Sequence, residues 1–306
     1  MTDSILVIGE ALIDIVEQSD GQRSEHVGGS PTNVAVGLSR LGQHPSLFTS
    51  FGNDARGDLI AAHLGAADVP VVDGSRHDGP TSTALARLNQ SGAADYTFEI
   101  VWDLPSLSPI DPPIAVHTGS IATFLEPGCS RVVEELSRWA PTATISFDPN
   151  IRPSLIGSRD VARAQVERIV AMSAVVKVSD EDLEWLYPGT DPRRQAAQWL
   201  ALGPAVVFVT LGPDGSFGMS AAGTVDIRPK PVDVVDTVGA GDAFMAGLLD
   251  SLAREGLLGA HNAATLSKVG TDTLRRIGEH AATVARITVS RAGAQPPTKA
   301  EVLSAG

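Results

Sequence analysis

Val235-Asp236-Thr237-Val238-Gly239-Ala240-Gly241-Asp242-Ala243-Phe244 begins polar, carries two glycines and runs into an amphipathic segment. Phe244, Leu248, Leu249 and Leu252 recur at helical spacing, which predicts a helix from about Ala240 to Arg254. Gly239, Ala240 and Gly241 then form a helix N-terminus. Its N–H groups are unpaired and lie at the positive end of the helix dipole. Glycines let an anion approach such a backbone closely. Asp242 stands in the same first turn. A carboxylate there can cap the helix, or it can serve as a general base facing a bound phosphate. By themselves these ten residues leave both readings open.

Three further polar clusters follow apolar runs. Asp148-Pro149-Asn150-Ile151-Arg152 reads as a turn, or as a place where the planar fork of Arg152 meets phosphate oxygens. Lys177-Val178-Ser179-Asp180-Glu181-Asp182 holds an S-x-x-D cap; its acidic residues also suit Mg²⁺, which takes oxygen ligands and keeps much of its water. Thr210-Leu211-Gly212-Pro213-Asp214-Gly215 would pass for a hairpin turn if it stood alone.

The elements that must position these clusters alternate. Short apolar runs at 5–8, 45–51, 114–118, 144–148, 175–178 and 206–210 read as buried strands. Helical stretches at 34–41, 56–64, 129–139, 160–171, 181–187 and 193–202 lie between them. That pattern predicts a mostly parallel sheet covered by helices, with ligands bound off the carboxyl ends of the strands. Residues 15–27, turning at Ser19-Asp20-Gly21, and strands 81–88 and 96–101, joined by Asn89-Gln90-Ser91-Gly92, alternate like half-exposed strands. They suggest a small sheet standing off the body. Tyr96, Phe98 and Ile100 share one of its faces, which needs cover from the body or from a second copy; a dimer through the lids is the expectation. No linker composition divides residues 1–306, so the chain reads as one domain with a lid.

Charge is −13, which disfavours nucleic acid and anionic membranes as partners. An anionic ligand must be held locally. Cys129 is the single cysteine, so neither an internal disulfide nor a cysteine zinc site is expected. The start MTDSILVIGE does not read as a signal peptide, and the expected home is the cytoplasm. There is no G-x-x-x-x-G-K-[ST] loop and no G-x-S-x-G elbow, and Gly239-x-Gly241 lacks the third glycine of a dinucleotide fingerprint. The seven histidines show no metal spacing, and His117 reads as a structural histidine.

Taken in order, these stretches resemble the ribokinase-like (PfkB) carbohydrate kinase family, and within it the fructokinases. Val7-Ile8-Gly9-Glu10-Ala11-Leu12-Ile13-Asp14 is similar to the family's opening strand and sugar-contacting aspartate. Gly28-Gly29-Ser30-Pro31-Thr32-Asn33-Val34-Ala35 resembles its first signature, and Asp236 to Leu249 its second. Residues 147–152 and 177–183 look fructokinase-like, and Val209-Thr210-Leu211-Gly212 with Gly215 resembles the nucleotide loop.

The resemblance implies a three-layer α/β fold with a β-sheet lid, and ATP-dependent phosphorylation of a sugar hydroxyl. Fructose comes first, with 2-keto-3-deoxygluconate, ribose or a riboside as alternatives and a non-catalytic sugar sensor as the other class. It implies Asp242 as base, Gly239, Ala240 and Gly241 as the anion hole, and Arg152 beside the phosphates. Asp14, Gly28, Gly29 and Asn33 would hold the sugar. Asn150, Lys177, Thr210, Gly212 and Gly215 would line the ATP. Mg²⁺ would fall to Asp182, which replaces the glutamate of an N-x-x-E motif common in ribokinases. A monovalent-cation loop would involve Asp236, Val238, Arg291 and Gly293; Pro296-Pro297 beside it leaves activation by K⁺ open.

Overall fold

The computed structural model describes residues 3–18, 20–88 and 94–305. The expected turn residues Ser19 and Asn89-Gln90-Ser91-Gly92 lie outside these. Among the described residues the main sheet has eight strands, in the order Gly223–Ile227, Ser216–Ser220, Val206–Thr210, Val175–Ser179, Thr144–Asp148, Ala115–Gly119, Ser4–Ile8 and His44–Phe48. The six from Val206–Thr210 onward are parallel, and the first two add an antiparallel edge. The central strands are buried on both faces because they present apolar residues to both sides, with a few buried polar residues such as His117, Ser146 and Lys177 among them. In Ser4–Ile8, Ile5 and Val7 join one core while Leu6 and Ile8 join the other. Helices Ser30–Arg40, Ala240–Arg254 and Thr271–Val289 supply the first core. Gly128–Trp139, Arg159–Met172, Asp180–Leu186 and Pro192–Leu200 supply the second. The result is a three-layer α/β sandwich.

From Ser4–Ile8 the chain passes to His44–Phe48 on one side and returns to Ala115–Gly119 on the other. This reversal opens a crevice off the carboxyl ends of the central strands. The chain ends of Ile8, Gly119, Asp148, Ser179 and Thr210 face it in turn.

The lid is a four-stranded sheet in the order Arg23–Gly28, Leu12–Glu17, Thr83–Leu88, Ala94–Glu99. It begins at Leu12, earlier than the expected residue 15, because the apolar alternation of Leu12, Ile13 and Ile15 serves two faces. Ile13 and Ile15 join the main core; Leu12 and Ala84 join a smaller cluster with Ile121. Phe98 and Ile100 pack on that smaller cluster together with Leu125 and Leu155. The body therefore meets the expected face at the partly buried Phe98 and Ile100, while the side chain of Tyr96 lies outside what is described. Asp54 anchors the lid to the body. It caps helix Ala55–Ala66 by accepting from Gly57 N, and it also accepts from the N–H and hydroxyl of Thr81.

Helix Ala240–Arg254 starts and stops where the spacing places it. Phe244, Leu248, Leu249 and Leu252 are all buried, each contributing about 1.5–3 kcal/mol. Among the described residues, no helix is long and apolar enough to cross a membrane.

Candidate active site

Helix Ala240–Arg254 begins at Gly239, in the left-handed conformation (φ 74°), a turn that glycine makes without strain. No side chain caps this terminus. The capping reading of Asp242 therefore falls: its carboxylate points away from its own helix. Oδ1 accepts from Ser30 Oγ at 2.6 Å and Asn150 Nδ2 at 3.4 Å, and Oδ2 accepts from Asn33 Nδ2 at 2.8 Å. A carboxylate has about four lone-pair positions. Three donors leave room for one more proton, on Oδ2.

The donors come from two other parts of the chain. Ser30 and Asn33 lie in the first turn of helix Ser30–Arg40, which Pro31 starts in its favoured place. Asn150 follows strand Thr144–Asp148 and is itself left-handed (φ 39°). A non-glycine residue held there is strained, and such strain gathers at functional sites. Arg152 stands beside it on the surface. Its Nη1 donates to the Asn150 carbonyl at 3.2 Å and side-chain oxygen at 2.6 Å, and to the Ile151 carbonyl at 3.1 Å.

Behind the helix terminus lies Lys177, 3% exposed. Its Nζ is 2.9 Å from Asp148 Oδ2. A β-carbon on Gly241 would come within 2.8 Å of that nitrogen, so a side chain at 241 would have to displace the ammonium. Burial works against the ammonium, but Asp148 outweighs it and holds Lys177 above the usual lysine range. Burial pushes the Asp148 carboxyl upward while Lys177 pulls it back. Asp148 Oδ1 is buried without a hydrogen-bond partner. Asp182 is half of the expected cap: its N–H donates to Ser179 Oγ at 3.0 Å. The carboxylate turns instead to the Ile151 N–H at 3.0 Å, and burial raises it.

Asp14 sits within lid strand Leu12–Glu17, not in a loop after the first strand. Gly28 makes room for it, since a β-carbon there would lie 2.0 Å from Asp14 Oδ2. Across the lid, register aligns His26, Asp14, Ala84 and Phe98 on one face. Burial raises the Asp14 carboxyl to about 6, with Arg152 and His26 opposing and Asp242 adding to the rise. Gly29 (φ 108°) links lid to helix.

Thr210, Gly212 and Gly215 lie at the next strand end, where Ser179 and Thr210 are in register. Asp236 joins two loops: Oδ1 accepts from Val238 N at 3.0 Å and Oδ2 from Gly293 N at 2.8 Å, and these N–H groups lower its pKa. The Arg291 guanidinium turns away to Glu301.

The sequence reading missed Ser30 as a partner of Asp242, His26 across from Asp14, and the buried Glu10 at the end of the first strand. Ser30 and Glu10 stand inside the two signature stretches, which was the available signal. His26 shows only when the lid strands are put in register.

A carboxylate at a helix N-terminus, a buried cation behind it and a lid over the crevice accord with a phosphotransferase on a ribokinase-like fold. Residues 2–301 match the model of the pfkB family carbohydrate kinases. The chain belongs to that family and is an ATP-dependent sugar kinase, which decides against the sugar-sensor reading. It is 36% identical over 278 residues to a fructokinase of Rhizobium leguminosarum bv. trifolii, covering 86% of this chain and 84% of that one. The crystal structure of a fructokinase with bound ATP from Xylella fastidiosa superposes with a TM-score of 0.86 at 26% identity, covering 99% of this chain and 98% of that chain. An aminoimidazole riboside kinase from Salmonella enterica shares the fold at 24% identity, with a TM-score of 0.78 over 98% of this chain and 99% of that chain.

Proposed function

We propose that this chain is a fructokinase working as one kinase domain with a lid, and that Asp242 is its base. The observation that carries the mechanism is the Asp242 carboxylate, oriented by Ser30, Asn33 and Asn150 with one lone pair left over. Asp242 takes the proton of the attacking sugar hydroxyl. The sugar oxygen forms a bond to the γ-phosphorus as the bond to the β-phosphate oxygen breaks, and ADP leaves. The N–H groups of Gly239 and Gly241 meet the charge developing on the phosphoryl group, with Lys177 behind them; the Ala240 N–H, which donates to the Thr237 carbonyl at 3.2 Å, joins them by leaving that turn bond. Arg152 and Asn150 flank the phosphates, and Thr210, Gly212 and Gly215 line the nucleotide. Asp14, Gly28, Gly29 and Asn33 hold sugar hydroxyls under the lid, which excludes water.

Mg²⁺ suits the pair Asp148 and Asp182. Among the described residues no cluster of three or more acidic, histidine or cysteine residues could hold a metal. Mg²⁺ needs only one or two carboxylates besides water and phosphate, and Asp148 Oδ1 has no protein partner. When bound it would neutralise phosphate charge. Asp236 spends both oxygens on loop N–H groups, so its part in a K⁺ site would be to shape the 236–238 and 291–293 loops. The outer lid strands, Arg23–Gly28 and Ala94–Glu99, are the edges through which a homodimer would form. Light scattering at micromolar concentration that finds only monomer rejects the dimer.

Fructose leads because the relative at 36% identity is a fructokinase. The test is kcat/KM for fructose, ribose, 2-keto-3-deoxygluconate and adenosine with Mg-ATP. Fructose is expected to be highest. A roughly tenfold advantage for any of the others, well within what one pocket contact can give, overturns the assignment of fructose.

A further inference from the structure

One buried carboxylate has no part in the chemistry above. Glu10 is 3% exposed and stands at the carboxyl end of the central strand, where the strand order reverses. Its Oε2 accepts from Ala122 N at 3.2 Å, and the Ser120 hydroxyl also donates to it. Its backbone carbonyl accepts from Thr32 Oγ1 at 3.0 Å. That carbonyl also lies against Gly29, where a β-carbon would be 2.4 Å away.

Two routes lead from Glu10 to Asp242. Through its backbone, Glu10 fixes Gly29 and Thr32, which flank Ser30 and precede Asn33. Through its carboxylate, it fixes the turn Ser120–Thr123, where Ser120 is left-handed (φ 56°). Gly119, just before that turn, lies so close to the Asp148 carbonyl that a β-carbon would be 2.1 Å from it. The Asp148 turn in turn presents Asn150. All three donors to Asp242 thus rest on segments that Glu10 holds.

We infer that Glu10 is a positioning residue for the phosphoryl-acceptor site, setting the donors that orient Asp242. It rests on the kinase mechanism proposed above.

A residue kept only for packing would not be an acid. Burial raises the Glu10 carboxyl to about 7, opposed by its hydrogen bonds and by Arg152. Arg152 also faces Asp14 from the lid and Asp182 from its helix, while Asp148 and Asp242 rim the same crevice. The folded chain holds the Glu10 proton between about pH 4.5 and 7 where the unfolded chain has released it. Stability from this group therefore falls as pH rises through that window. The ionised carboxylate is the stronger acceptor for Ser120 and Ala122, so turnover rises over the upper part of the same window. Stability and activity move in opposite directions at one residue.

The experiment compares wild type, Glu10→Gln and Glu10→Ala in fructose phosphorylation and thermal melting at about pH 6 and pH 8, either side of the expected ionisation. Glu10→Gln is expected to melt higher than wild type at the upper pH, yet to lose roughly 10-fold in kcat there, with both KM values nearly unchanged. Its kcat profile should lack the inflection near 7. Glu10→Ala should lose more turnover than Glu10→Gln. The inference is overturned if Glu10→Gln keeps wild-type kcat at both pH values. It is also overturned if Glu10→Gln melts lower and loses kcat in proportion, the mark of a merely structural residue. Wild type that turns over no sugar sinks the kinase mechanism instead; the melting comparison at the upper pH still decides whether the Glu10 charge opposes stability.

Discussion

The hydroxyl of Ser30 lies 2.6 Å from Asp242 Oδ1, across 212 residues of sequence. This contact aims the carboxylate away from its own helix and toward the crevice. Asp242→Asn keeps the shape but removes the basic oxygen. It should cut kcat by roughly 10²–10⁴ while leaving melting and ATP binding nearly intact. Near-normal kcat would return Asp242 to a structural role.

Two glycines of the same helix should respond differently to alanine. In Gly241→Ala the new β-carbon meets Lys177 Nζ at 2.8 Å, which pushes the ammonium off Asp148. Turnover should fall by about 10-fold or more with only a small change in melting. In Gly247→Ala the β-carbon meets the Ala281 backbone at 2.8 Å, where helices Ala240–Arg254 and Thr271–Val289 touch. That overpacking should cost about 1–3 kcal/mol, with kcat per folded molecule unchanged. The same response from both variants would refute the distinction.

Arg152→Lys preserves charge but not the planar fork. Kinetics should show kcat/KM for ATP lowered by roughly 10-fold or more, because an ammonium cannot make two-point contact with phosphate oxygens. If both substrates keep their wild-type kcat/KM, Arg152 is a surface turn residue.

Asp14 should govern sugar binding and its pH dependence. Asp14→Ala is expected to raise the sugar KM by roughly 10-fold or more and leave the ATP KM alone, since a polar site missing one partner binds poorly. In wild type the sugar KM should rise as pH falls through about 6, when Asp14 gains a proton and loses acceptor capacity. His26→Ala removes a charge that favours ionised Asp14, so the rise should begin at higher pH. A sugar KM that ignores both substitutions would place the sugar elsewhere.

Asp250, in the last turns of helix Ala240–Arg254, is fully buried. Burial alone would raise its pKa, but donors from His280, Gln43 and Arg254 outweigh it and hold the pKa below the usual aspartate value. A depressed acid contributes stability above its unfolded pKa and loses it as pH falls through the folded one. Denaturant melts should therefore show wild type losing this stability only below about pH 4. Asp250→Ala should lose about 1.5–3 kcal/mol at neutral pH and respond less to acid. Equal stability at neutral pH would show that the four-residue knot does no work.

The sequence by itself determined the elements and their chemistry. Helix Ala240–Arg254 was legible because its apolar residues repeat every three or four positions, a local property. The buried strands were legible as short apolar runs, and the Ser179 cap as a four-residue pattern. Helix Thr271–Val289 and the Ser216–Ile227 edge strands escaped that reading. Their packing faces make sense only against helix Ala240–Arg254 and strand Val206–Thr210. Only the tertiary structure decided what Asp242 does. Its donors lie far away in sequence and meet it because the strand order reverses beside Ser4–Ile8. The same folding buried Lys177 behind Gly241 and set His26 across from Asp14. No local pattern encodes such meetings, since strand register and sheet order fix them only once the whole core has closed.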